Sequence, residues 1–110
     1  MKFKVDSTVG SNTHLVGYFN GTRQKIESIF GAPTYTTSDK YEKVTAEWGI
    51  LFEDGTEATI YDWKRYDEGT PEQDEMYEWH IGGRDSKAVE YVGQVLGVNS
   101  YAHNIHEIRF

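Results

Sequence analysis

Two short stretches concentrate the residue types that bind small anionic ligands. The first is Trp79-His80-Ile81-Gly82-Gly83-Arg84-Asp85-Ser86. Its two glycines lead into a helix start, where backbone N–H groups lack intrahelical partners and can be donated to an anion. The missing Cβ of Gly82 and Gly83 permits close approach of a ligand. Arg84 adds a guanidinium able to fork onto a phosphate, and Trp79 is in reach to stack a base. The plainer alternative is a strand-to-helix turn that needs glycine, with Asp85 merely capping the helix. The second stretch, Tyr61-Asp62-Trp63-Lys64-Arg65-Tyr66, interleaves rings and cations. That combination stacks a base and neutralises a phosphate. Its alternative is a sheet-edge strand whose rings pack and whose Lys64 and Arg65 are solvated.

Catalysis and metal binding have weaker support. Among four histidines, His103 and His106 lie three apart and share a face if the segment is helical, with Glu107 beside them. Ordinary surface histidines are the alternative. His80 with Glu78 or Asp62 is spaced as a general acid/base pair. No nucleophile motif, P-loop, GxGxxG or HExxH is present. Cysteine is absent, which removes disulfides, Cys-zinc sites and thiol nucleophiles. The expectation is a binding protein rather than an enzyme, with no metal and no cofactor.

These residues need elements to position them. Thr13 to Phe19 reads as a strand, and Phe3–Val5 as a shorter one before the turn-like Gly10-Ser11-Asn12. Thr22 to Phe30 reads as a helix, capped by Thr22, with Ile26, Ile29 and Phe30 on its apolar face and Gly31 at its end. Pro33 prevents continuation, and Thr34 to Lys40 reads as polar loop. Val44 to Trp63 is a hairpin turning at Glu53-Asp54-Gly55. A two-residue turn puts Tyr61 and Trp63 on the face of Trp48, Ile50 and Phe52. A three-residue turn with Gly55 left-handed puts Ala58 and Ile60 there instead. The second is preferred, because its core face is more uniformly apolar. It leaves Tyr61 and Trp63 for a partner. Met76 to Ile81 reads as a strand ended by Gly82-Gly83. A second helix starts at Asp85 or Ser86, with Ala88, Val89, Val92, Val95 and Leu96 on its apolar face, and stops at Gly97. Ile105, Ile108 and Phe110 suggest that the tail docks, as a short strand if it is ordered. The order β-α-β-β-β-α plus a C-terminal tail predicts an α+β fold, a small mostly antiparallel sheet with two helices. Helices on one side leave the other sheet face open, a surface that oligomerisation can cover.

Composition bounds the rest. The chain of 110 residues is one domain's worth, 1–110, with 37% hydrophobic and 26% charged residues. No apolar run approaches the roughly 18 residues that span a membrane, and no signal peptide is visible after Met1. A cytoplasmic protein is therefore expected. The net charge of −7 argues against coating a nucleic-acid polymer. Much of the acidity lies in Asp67, Glu68, Glu72, Asp74, Glu75 and Glu78, a stretch with no Lys or Arg. It reads either as a solvated loop or as a strip that docks on a host protein. Three Trp, eight Tyr and five Phe make 15% of the chain aromatic, enough for a core and for stacking platforms as well.

Several strings carry a resemblance covering roughly residues 13–96. They are Leu15-Val16-Gly17-Tyr18, Phe30-Gly31-Ala32-Pro33, Thr45-Ala46-Glu47-Trp48, Asp54-Gly55-Thr56, Ala58-Thr59-Ile60-Tyr61-Asp62-Trp63-Lys64 and Glu78-Trp79-His80-Ile81-Gly82-Gly83. Together they resemble a widespread family of small bacteriophage proteins. In size and α+β make-up the chain is similar to the tetrameric anti-CBASS sponge family. That resemblance implies sequestration of a cyclic dinucleotide such as 3′3′-cGAMP, without cleavage, at subunit interfaces of a homo-oligomer in the infected bacterial host. It supplies no ligand residues. The residues above supply Trp63, Trp79 or Tyr61 for bases, Lys64, Arg65, Arg84 and the Gly82 and Gly83 amides for phosphates, and His80 as a further ligand-binding candidate. Two rival classes stay open: an inhibitor that docks on a host protein through the acidic segment and exposed aromatics, and a small nucleotide hydrolase dependent on His80.

Overall fold

Alternation of side chains along one hairpin organises the molecule. In the computed structural model, which describes residues 1–103, β4 (Ala46–Phe52) and β5 (Glu57–Tyr61) pair as Trp48↔Ile60 and Ile50↔Ala58. The turn holds three residues, with Phe52 N–H donating to the Thr56 carbonyl at 2.9 Å and Gly55 at φ 91°. Gly55 takes the left-handed conformation that side chains resist. This register gathers Ala46, Trp48, Ile50, Phe52, Ala58 and Ile60 on one buried face. Glu47, Thr59 and Tyr61 go to the other.

Around this hairpin lie β1 (Phe3–Val5), β2 (His14–Gly21), β3 (Tyr35–Thr36), β6 (Tyr77–Gly83) and β7 (Ser100–Ala102). They form an all-antiparallel sheet in the order β1-β4-β5-β6-β2-β7, with β3 also pairing β4. The fold is α+β, as the element order implies. Tyr35–Thr36, expected as loop, adds a two-residue strand to β4. Ser100–Ala102 in the tail pairs with β2, whereas Ile105, His106, Glu107, Ile108 and Phe110 lie outside the described residues.

Helix α1 (Arg23–Phe30) begins where the Thr22 hydroxyl accepts from Lys25 N–H at 3.1 Å. It buries Ile26 and Phe30, but Ile29 is exposed. Eight residues make little more than two turns, and the face that reaches the sheet is the narrower pair of positions four apart. Helix α2 (Ser86–Leu96) starts at Asp85, whose carboxylate accepts from Lys87 N–H at 2.9 Å, and ends at left-handed Gly97. Its Ala88, Val89, Val92 and Leu96 complete the core with Phe19, Trp48, Ile60, Trp79 and Ile81. Trp48 and Trp79 meet edge to face at 5.6 Å. Their indole N–H groups donate to the Gly31 and Gly21 carbonyls, so the two largest side chains are buried without an unsatisfied donor.

Candidate functional site

The face opposite the helices carries the second aromatic layer. Strand pairing sets Glu47, Tyr61, His80, Tyr18 and Tyr101 side by side across β4, β5, β6, β2 and β7. The rings interlock: Tyr61 and Tyr18 pack edge-on against His80 at 5.3 and 5.1 Å. Tyr18 also meets Tyr101 at 5.7 Å. Trp63, just past β5, stacks on His80 with planes 25° apart and centroids at 6.0 Å. Trp63 stays 37% exposed, so its ring keeps area for a partner. The Lys64 ammonium lies 5.5 Å from the Trp63 ring centre. At one end, the 6–13 connection crosses the same face. Asp6 N–H donates to the Gly49 carbonyl at 2.8 Å, Val9 is buried, and Gly10 approaches Thr59 and Glu47.

Burial shapes the chemistry of this row. It drives the Tyr61 phenol up to about 12, with help from the nearby Glu47 and Tyr18. Burial likewise raises Tyr18 and Glu47. The Tyr101 hydroxyl is raised first by its hydrogen bond to the Glu78 carboxylate. His80 is lowered from 6.5 mainly by burial, against the pull of Glu78, so its imidazole is neutral at pH 7. The surface therefore presents uncharged rings and phenols that keep their protons, bordered by the Lys64 ammonium and by Glu47 and Glu78. It is suited to stacking flat groups.

The structure divides the sequence-derived candidates. Tyr61, Trp63, Lys64 and His80 come together. Trp79 does not join them: it is 0% exposed on the core face and has no surface for a ligand. Arg65 is engaged internally. It forks onto Glu75 at 2.8 and 3.3 Å, donates to the Gly69 carbonyl at 2.8 Å and lies over the Tyr77 ring. Gly82 and Gly83 are strand residues rather than a turn. Gly82 sits between Leu15 and Thr59, and Gly83 pairs with His14. Their role is close packing, because a Cβ at Gly83 would strike Ala88 of α2 and one at Gly82 would strike the Thr59 hydroxyl. The helix N-terminus beyond them is filled by the Asp85 carboxylate, which stands where an anion would. Arg84 is exposed and reaches Glu57 at 3.5 Å. It lines a separate cavity of about 190 Å³ at the hairpin turn. Arg84 follows β6, four positions beyond the His80 on which Trp63 stacks, about 13 Å along the strand direction.

The carboxylates offered as partners for His80 have other bonds. Asp62 is buried toward the core, where it accepts from Thr45 N–H at 2.8 Å, Ala46 N–H at 3.0 Å and the Thr45 hydroxyl. Glu78 accepts from Tyr101. His103 shares a 2.6 Å hydrogen bond with the Tyr18 hydroxyl. Among the described residues, no group of three or more His, Asp and Glu side chains is placed to hold a metal. No described helix is long and apolar enough to cross a membrane. Tyr18, Glu47, Tyr101 and His103 also belong to this row and are not among the sequence-derived ligand contacts. The alternation of Tyr18 with buried Phe19 was the available signal for the first. Comparison with protein-family models, curated proteins and solved structures gives no match for this chain.

Proposed function

We propose that this protein is a phage immune-evasion factor. It binds a cyclic nucleotide defence signal of the 3′3′-cGAMP type and sequesters it without cleavage in the cytoplasm of the infected bacterium. The observation that carries this reading is the exposed Trp63 ring stacked on His80 within a row of rings, beside the Lys64 ammonium. A cyclic dinucleotide presents two flat bases and two phosphates. The rings take the bases by stacking, at about 1–3 kcal/mol per base, and Lys64 takes a phosphate. With Arg65 internally paired and Arg84 drawn to Glu57, one chain offers little more for the second phosphate. A homo-oligomer, such as a tetramer, supplies a second Lys64 and covers the open face at once. No nucleic-acid polymer and no membrane is a partner in this reading.

A second reading rests on a different observation. Glu47 and Glu78 border the row, and Asp67, Glu68, Glu72 and Asp74 are exposed in the neighbouring loop. That combination suits docking of aromatic anchors and carboxylates on a basic host protein. One experiment separates the two. Thermal unfolding is followed with a panel of cyclic di- and trinucleotides, and the ligand is recovered after heating. Binding at 100 times Kd stabilises by about 2.7 kcal/mol. A shift with intact ligand supports sequestration, and a shift with converted ligand makes the protein an enzyme. No shift across the panel transfers the reading to the host-protein partner, to be sought by pull-down.

A further inference from the structure

Glu47 stands apart from the other carboxylates of the open face. Glu78 accepts from Tyr101, and Glu57 is reached by Arg84. The Glu47 carboxylate has no hydrogen-bond or ion-pair partner among the described residues, although its side chain is partly buried. Its backbone is fixed, because its carbonyl accepts both the N–H and the hydroxyl of Thr34, at 2.8 and 3.0 Å. It lies directly opposite Tyr61, at the end of the ring row. Opposed side chains in a sheet begin about 5 Å apart. Gly10 of the crossing 6–13 connection borders that end, where a Cβ added to it would lie 3.7 Å from Glu47 Oε2. The carboxylate oxygens keep some contact with water, and a bound donor of good geometry replaces that water with a charge-assisted hydrogen bond.

We infer that Glu47 is a specificity residue of this face, accepting the ring N1–H and the exocyclic N–H of a guanine stacked on the Tyr61–His80 row. The inference rests on the nucleotide-binding reading above and narrows its ligand to those carrying guanine. The chemistry is one of matching. A carboxylate is acceptor-only and offers two oxygens side by side. Guanine presents two adjacent donors to it. Adenine presents an amine beside the N1 lone pair, which the carboxylate repels. Cytosine presents its amine beside the N3 lone pair, with the same conflict. Hypoxanthine keeps N1–H and lacks the exocyclic amine, so it isolates one of the two bonds.

The test is calorimetric titration of the full chain with cyclic di-GMP, cyclic di-IMP and cyclic di-AMP. The expected order is guanine over hypoxanthine by about 10-fold or more, the size of one hydrogen bond to a charged group, with adenine weakest. In Glu47→Gln, which removes the charge and one acceptor, the guanine preference over hypoxanthine falls to within about 3-fold. Equal affinities for the three ligands overturn the assignment while leaving nucleotide binding intact, as does a preference unchanged in Glu47→Gln. Binding of none of them overturns the nucleotide reading and the assignment with it. If Glu47→Gln does not fold, Glu47→Asp takes its place: drawing the carboxylate back by one methylene should reduce the guanine preference over hypoxanthine, and an unchanged preference overturns the assignment.

Discussion

The two faces of the sheet carry rings from the same strands, yet the rings do opposite work. Ile60 and Tyr61, Trp79 and His80, and Phe19 and Tyr18 are sequence neighbours, and alternation sends each pair to opposite sides. Inside stand Trp48, Trp79 and Phe19, fully buried, with both indole N–H groups satisfied. Outside stand Tyr61, His80, Tyr18, Tyr101 and Trp63, rings with polar edges that still contact water. The inner layer supplies apolar burial, the dominant favourable contribution to folding. The outer layer supplies surface for a partner at modest cost to stability.

Substitutions that treat the layers alike break this comparison. The largest effect is expected from Trp79→Ala, which removes a fully buried indole and should cost about 3–5 kcal/mol in denaturant unfolding. A cost under about 1 kcal/mol would place Trp79 at the surface and undo the division of layers. Asp62→Ala comes next. It leaves Thr45 N–H and Ala46 N–H without their acceptor, a loss of about 2–4 kcal/mol. If instead stability holds and only ligand affinity drops, Asp62 belongs to the site. Trp63→Ala sharpens the contrast from the other side. Unfolding should shift by less than about 1.5 kcal/mol, while affinity for a cyclic dinucleotide falls about 10-fold or more.

The smallest effect is on pH. Burial lowers the His80 pKa in the folded protein below 6.5. Below about pH 6.5 the unfolded chain therefore takes up this proton first. The stability attached to His80 is complete above that pH and is lost as pH falls toward the folded value. His80→Gln should flatten this slope in unfolding midpoints measured between pH 7 and 5. An unchanged slope would assign it to other groups.

Much of this arrangement was legible in the residues. Asp54-Gly55 located the turn. The preference for a uniformly apolar core face selected the three-residue loop that sends Tyr61 outward, and the α2 stripe and Gly97 stop followed from helical spacing. Gly82-Gly83 misled, because strand pairing on both sides of Gly82 overrides its local tendency to turn. Arg65 misled for a related reason. Its partner Glu75 is ten positions away, and only the loop's path reveals their meeting. Trp79 carries no local mark distinguishing it from Trp63, since both sit beside charged residues and only register sorts them. Tyr101 and His103 reach the row through β7, a three-residue strand too short to show a period.

The outer layer can be interrogated through its own tryptophan. Trp48 and Trp79 are 0% exposed and Trp63 is 37% exposed, so a ligand stacking on the open face alters the emission of Trp63 alone. Titration with cyclic GMP–AMP should quench the fluorescence in a saturable manner, and the quench should vanish in Trp63→Phe. Emission that stays constant across the titration, or a quench that survives in Trp63→Phe, would contradict the claim that this row is where the ligand binds.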